Sequence, residues 1–343
     1  MRKSVHIQRT FCWVAATCAV LCAALGCRSY SWEEFTAGAA RPPVQPRSGP
    51  GGKDYAHERV EVQKFGWAAR AYYIFTPAEP VPESAPVVVF LHGWSAVEPG
   101  PYRAWIDHIV RRGNIVIYPV YQNAFFNLGI WVAATAMQST KEALDRLEHE
   151  GPVRPEVERL AVVGHSMGGS ISVNMAVEGA RNGLPVPRAL MVIQPGAPPW
   201  FRMASPEELP EEIRLVVLVG DEDRITGERR ARRIFAGARR IPPERKAYGI
   251  LQSDRYGEPP LVADHFSVCA PHLPEGVTKM RWVAWDFRVD ALDFYGYWKL
   301  LDALMECAFY GRSCETCTAG TPEFADMGRW SDGRPVKGIL TGP

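Results

Sequence analysis

The sequence predicts an α/β protein, with a mostly parallel central sheet and helices on both of its faces. Three observations predict it. Short, continuous apolar runs at 87–91 and 215–219 have the pattern of strands buried on both faces. Longer helix-like stretches at 102–112 and 131–150 alternate with such runs, as right-handed crossovers require. The composition is 47% hydrophobic and 22% charged over 343 residues, which supports a sizeable core and excludes disorder for the bulk of the chain. Lys+Arg and Asp+Glu balance to +1, so no global field would hold nucleic acid.

In chain order, Arg2, Lys3 and Arg9 make a basic start, and residues 11–25 follow with Thr17 as their one polar side chain. A basic segment before a short apolar run reads as a secretory signal at 1–26. A spanning helix needs about 20 apolar residues, more than this run has. It ends Ala24-Leu25-Gly26-Cys27, which resembles the lipobox of bacterial lipoproteins, although the leucine stands one place later than usual. That resemblance implies acylation of Cys27 and a lipid anchor on the bacterial cell envelope. Residues 27–56 are rich in Pro and Gly and read as a tether. The remainder, 57–343, reads as one catalytic domain with a cysteine-bearing tail.

Within that domain, strand patterns fall at 60–63, 71–75, 87–91, 115–119, 160–163, 188–193, 215–219 and 247–251. Helical patterns fall at 102–112, 131–150, 167–179, 229–236 and 290–308. Gly113 and Gly151-Pro152 stop the first two of these helices.

The sharpest signal is Gly164-His165-Ser166-Met167-Gly168, a G-x-S-x-G between a strand and a helix. That context makes it a nucleophile elbow with Ser166 at its tip. The helix start that follows brings the Met167 N–H to an emerging oxyanion. Leu91-His92-Gly93-Trp94 ends an earlier strand, and the Trp94 N–H is the candidate second donor. The acid should follow a later strand, where Gly220 precedes Asp221 and Asp223; the Gly-x-x-Asp pattern selects Asp223 over Asp221. The base should follow the last strand. His265 and His272 are the only histidines beyond that acid, and His265 is the candidate. The order Ser166, Asp223, His265 is that of one convergent Ser-His-Asp class.

From about residue 60 to 308 the chain resembles an α/β-hydrolase of the serine esterase type. Its Gly-His-Ser-Met-Gly-Gly elbow and the Asp-His-Phe around His265 are similar to those of secreted cutinase-like polyester hydrolases and dienelactone-hydrolase-like enzymes. The dienelactone hydrolases proper use a cysteine where Ser166 stands. The resemblance implies hydrolysis of a small-molecule or lipid-like ester, with no cofactor and no metal. Acyl transfer or peptidase action on the same triad is the alternative, and a non-catalytic binding protein on this fold a further one. Trp94, Tyr121, Phe125, Phe126, Trp131 and Trp200 fall near strand ends, and Tyr121 and Trp200 are the candidates for the substrate wall. Four cysteines follow the leader and tether, and in an exported chain they suggest two bridges. Of the three possible connectivities, Cys307–Cys314 with Cys269–Cys317 is the expected one.

Overall fold

A computed structural model describes residues 38–123, 131–272 and 287–342. The leader, Cys27, Phe125 and Phe126 lie outside the described residues. The chain divides into two compact units, 1–39 and 40–343, and the second carries everything that follows.

Nine strands form one sheet: β1 (Arg59–Phe65), β2 (Tyr72–Ala78), β3 (Ser84–Leu91), β4 (Ile115–Pro119), β5 (Arg154–His165), β6 (Ala189–Ile193), β7 (Arg214–Gly220), β8 (Lys246–Leu251) and β9 (Leu340–Thr341). Their order is β1-β2-β4-β3-β5-β6-β7-β8-β9. β4, β3, β5, β6, β7 and β8 pair in parallel, while β1, β2 and β9 are antiparallel additions at the two edges. The parallel strands all end on one edge of the sheet, where α/β proteins place their sites.

Alternation sorts each strand's side chains onto two cores. Val88, Phe90, Val116, Val163, Met191 and Leu218 face one side. There they meet α1 (Arg103–Arg111) through Trp105, Ile106 and Ile109, and α5 (Trp298–Tyr310) through Leu300, Leu301 and Leu304. Val87, Val89, Ile117, Val162, Val192 and Val217 face the other side. Their partners are α2 (Val132–Glu150), α3 (Met167–Glu178) and α4 (Arg229–Gly237). A short helix, α6 (Pro322–Ala325), precedes the return of the chain to the edge strand β9.

Residues 40–56 correct the expectation of a tether. Gly51 N–H donates to the buried Asp302 carboxylate at 2.8 Å. Tyr55 stands edge-on to His108 and lies under the Arg111 guanidinium. Arg41 N–H reaches Ser331 Oγ at 2.9 Å. The Pro/Gly content removes helix and strand as options, and the segment docks instead as an extended strap through backbone donors and a few side chains. The compact unit therefore begins at Ala40, not at residue 57.

The tail brings a second correction. Cys307 and Cys314 form a disulfide across the end of α5, as expected. Cys269 and Cys317 are both free thiols and both buried. Cys317 feels the charge of Arg214 at the start of β7, whereas Cys269 lies among Tyr102, Asp264 and Asp293 by the strand ends. At about 3.3 Å per residue, the length of β7 sets these ends about 20 Å apart. A disulfide needs Cα atoms within about 7 Å.

Candidate active site

β5 delivers Ser166 and α3 begins at the next residue. Ser166 has φ 55° and ψ −119°, a strained conformation that a strand-to-helix reversal demands. The turn closes on bare backbone. A Cβ at Gly164 would stand 2.2 Å from the Gly168 carbonyl oxygen, and one at Gly168 only 2.0 Å from that of Leu91. Both positions therefore require glycine. Ser166 N–H donates to the Ile193 carbonyl at 3.0 Å, and the Ser166 carbonyl accepts from Gly196 N–H at 2.8 Å.

The loop after β8 brings His265 over the elbow. Its Nε2 lies 3.0 Å from Ser166 Oγ and its Nδ1 lies 2.9 Å from Asp223 Oδ2. All three side chains are buried. Asp223 Oδ1 accepts from the N–H groups of Ile225 and Thr226 at 2.9 and 3.0 Å, and Oδ2 also accepts from Thr226 Oγ1 at 2.6 Å. Burial pushes this carboxyl's pKa up, but hydrogen bonds from His265 and from Thr226 outweigh it and hold it well below the usual carboxylate range. Asp221 faces elsewhere: it accepts from the Ser253 N–H and hydroxyl at 3.0 and 2.7 Å and ties two loops together. His272 is exposed and pairs with Asp107 at 2.7 Å.

A second histidine supports the first, and sequence reasoning missed it. His165, one residue before Ser166, is buried with Nε2 3.0 Å from the His265 carbonyl and Nδ1 2.8 Å from Tyr102 Oη. Burial, helped by the neighbouring His265, lowers its pKa to about 3, so the ring is neutral. A carbonyl can only accept, so Nε2 carries the proton and Nδ1 accepts from the Tyr102 hydroxyl. The Tyr102 oxygen in turn accepts from Gly93 N–H at 3.0 Å. One chain of hydrogen bonds thus joins the elbow, the loop after β3 and the loop that carries His265.

Part of the chain is similar to a known family. A family model described as chlorophyllase matches residues 50–203, from the strap to the loop after β6. That family consists of α/β-hydrolase-like esterases. The fold is that of an α/β-hydrolase. The match ends before Asp223 and His265, and no curated protein matches the chain.

In an α/β-hydrolase the loop after β3 faces the elbow, and here it does so closely. A Cβ at Gly93 would stand 3.4 Å from Ser166 Cβ. The neighbouring N–H groups are occupied: Gly93 by Tyr102, Ser95 by Gln122 Oε1 at 3.0 Å, and Ala96 by the Gly93 carbonyl at 3.2 Å. Among the described residues, the Trp94 N–H has no acceptor. Met167 is the first residue of α3, whose opening N–H groups lack intrahelical partners. His92 is buried between Tyr118 and Tyr121, its ring nitrogens each 2.7 Å from the carbonyls of Gly93 and Val120. It shapes the loop.

Tyr121 corrects its sequence assignment to the substrate wall. It is fully buried, stacks on His92 with ring centroids 4.1 Å apart, and donates its hydroxyl to the His92 carbonyl. Trp200, in the loop after β6, is exposed, as are Trp94 and Trp131.

Proposed function

We propose that the protein is a serine esterase that hydrolyses a small-molecule or lipid-like carboxylic ester through an acyl-enzyme. The observation that carries this reading is the continuous run Ser166 Oγ–His265 Nε2, 3.0 Å, and His265 Nδ1–Asp223 Oδ2, 2.9 Å. Ser166 attacks the ester carbonyl while His265 takes its proton. His265 then passes that proton to the departing alkoxide. Asp223, kept ionised, fixes the imidazole with its proton on Nδ1 and stabilises the charge it gains. The free N–H groups of Trp94 and Met167 receive the oxyanion. Water, deprotonated by His265, then releases the acid and restores Ser166.

The test is turnover of nitrophenyl esters together with labelling by a fluorophosphonate probe. Ser166→Ala should lose both. Asp223→Asn should keep the fold and lose about 10⁴ in turnover, because the wrong tautomer is then favoured. Asp221→Asn should retain turnover and cost about 1 kcal/mol of stability. Collapse of Asp221→Asn with full activity in Asp223→Asn would overturn the assignment of the acid.

We also propose export and anchoring to the cell envelope through an acylated Cys27, on the sequence of the leader alone. Full-length protein made in a bacterium should partition into detergent, and Cys27→Ala should not be processed normally. A soluble mature protein that begins after Gly26 with a free Cys27 thiol would remove the anchor.

A further inference from the structure

Beside the elbow lies a cleft of about 450 Å³ whose lining includes Gly196, Ile225, Thr226, Arg229, Arg230 and Arg233. Two of these residues belong equally to the catalytic apparatus. A Cβ at Gly196 would come 3.4 Å from Ser166 Oγ, so the reacting oxygen and the cleft share that wall. Thr226 donates its hydroxyl to Asp223. The cleft therefore opens next to the point of bond cleavage.

The lining also takes in three arginines from the first two turns of α4, and their charge is unbalanced. Arg229, Arg230 and Arg233 make no ion pair among the described residues. Arg232, between them in sequence, turns away and pairs with Glu228 at 2.7 Å. Arg230 is half-buried beside the exposed Arg229 and Arg233, and burial, then the positive charges of Arg233 and Arg229, depress its pKa. Guanidinium pairs bind carboxylate and phosphate in bidentate geometry. The N-terminal end of a helix adds to the same field. The whole chain carries only +1, so this charge is local to the cleft.

We infer that the cleft is an anion subsite for the substrate itself, and that the preferred substrates are esters bearing a carboxylate or phosphate group near the scissile bond. This rests on the esterase reading above. The anion seats against Arg229, Arg230 and Arg233 while the ester carbonyl lies at Ser166.

Two matched ester pairs test it. Nitrophenyl hydrogen glutarate against nitrophenyl pentanoate places the charge on the acyl half. Carboxyphenyl butanoate against phenyl butanoate places it on the leaving half. The quantity read is the anionic-to-neutral ratio of kcat/KM, compared between wild type and the triple variant Arg229→Gln, Arg230→Gln, Arg233→Gln. The comparison cancels the intrinsic reactivity of each ester. In at least one pair the triple variant should lose about tenfold or more of this ratio, and Arg232→Gln should not. A phosphonate in place of the glutarate carboxylate separates the two anion chemistries. Unchanged ratios in both pairs, with the neutral esters still hydrolysed, would overturn the subsite and leave the esterase standing. Should no ester be turned over, calorimetric titration of wild type with glutarate and with inorganic phosphate reads the subsite alone. Binding that the triple variant loses would support it, and no binding would overturn it.

Discussion

Tyr102 shows how much one hydroxyl can hold. It donates to His165 and accepts from Gly93, so Tyr102→Phe leaves two buried polar groups without partners. That should cost about 1–3 kcal/mol of stability, read as a fall in melting temperature. The loops bearing Trp94 and His265 also lose their shared anchor. Turnover should fall about ten- to a hundredfold, the scale of small displacements in a reacting geometry. Full activity at reduced stability would show that Tyr102 is structural only. Ser166, Asp223 and His265 were legible in the sequence because a tight turn, a strand end and chain order each restrict where such residues stand. The roles of Tyr102 and His165 were not. A tyrosine at a helix start and a histidine inside the elbow carry no spacing signal, and only the folded loops bring them together.

Among the elements, the π-helical turn Asp293–Tyr297 that leads into α5, with Asp290 just before it, carries an acidic pair with a pH signature. Asp290 Oδ1 accepts from Leu292 N–H at 2.8 Å, and Asp293 Oδ2 accepts from Asp290 N–H at 2.9 Å. This is a capping box built from two aspartates. Asp293 has no exposed surface, and among the described residues its Oδ1 has no partner in good hydrogen-bond geometry. Burial raises its pKa well above the usual range, with Asp290 adding to the shift. Asp290 is itself raised by burial and by Asp264, against the pull of its hydrogen bond from Leu292 N–H and of Arg288. A raised carboxyl means that the folded protein keeps a proton that the unfolded chain releases near pH 4. The folded state then binds more protons, so stability falls as pH rises above about 4. In Asp293→Asn the amide oxygen still accepts from Asp290 and the charge penalty is gone. Its melting temperature should decline less between pH 5 and pH 8 than that of the wild type. Parallel declines would show that Asp293 is not protonated in the fold. The helix itself was visible in its apolar spacing, whereas its cap was not, since two aspartates three apart read equally well as a solvated turn.

At the largest scale, the unit that begins at Ala40 is closed by its strap. Asp302 is buried and receives the Gly51 N–H, His108 Nε2 at 2.9 Å and Arg112 Nε at 3.2 Å, while Arg112 also reaches Asp54 at 2.8 Å. A chain starting at Ala40 keeps the whole strap and serves as the reference. One starting at residue 57 loses Gly51, Asp54 and Tyr55 together and should lose at least about 3 kcal/mol, measured by denaturant unfolding. Equal stability of the two truncations would return the segment to the status of a tether. Composition misled here because proline and glycine exclude regular structure without excluding docking. That Cys269 and Cys317 stay unpaired was equally hidden, since cysteine spacing says nothing of which end of the sheet each thiol reaches. The sheet itself was legible because continuous apolar runs leave few alternatives for so many strands. The strap also fixes a timetable. Gly51 and Asp302 are 251 residues apart, and at about 5–20 residues per second a ribosome needs roughly 12–50 s to make the interval. Throughout that time the strap has only its contacts to α1 and Arg112 to rest on, and the buried acceptor of the Gly51 N–H arrives only with α5.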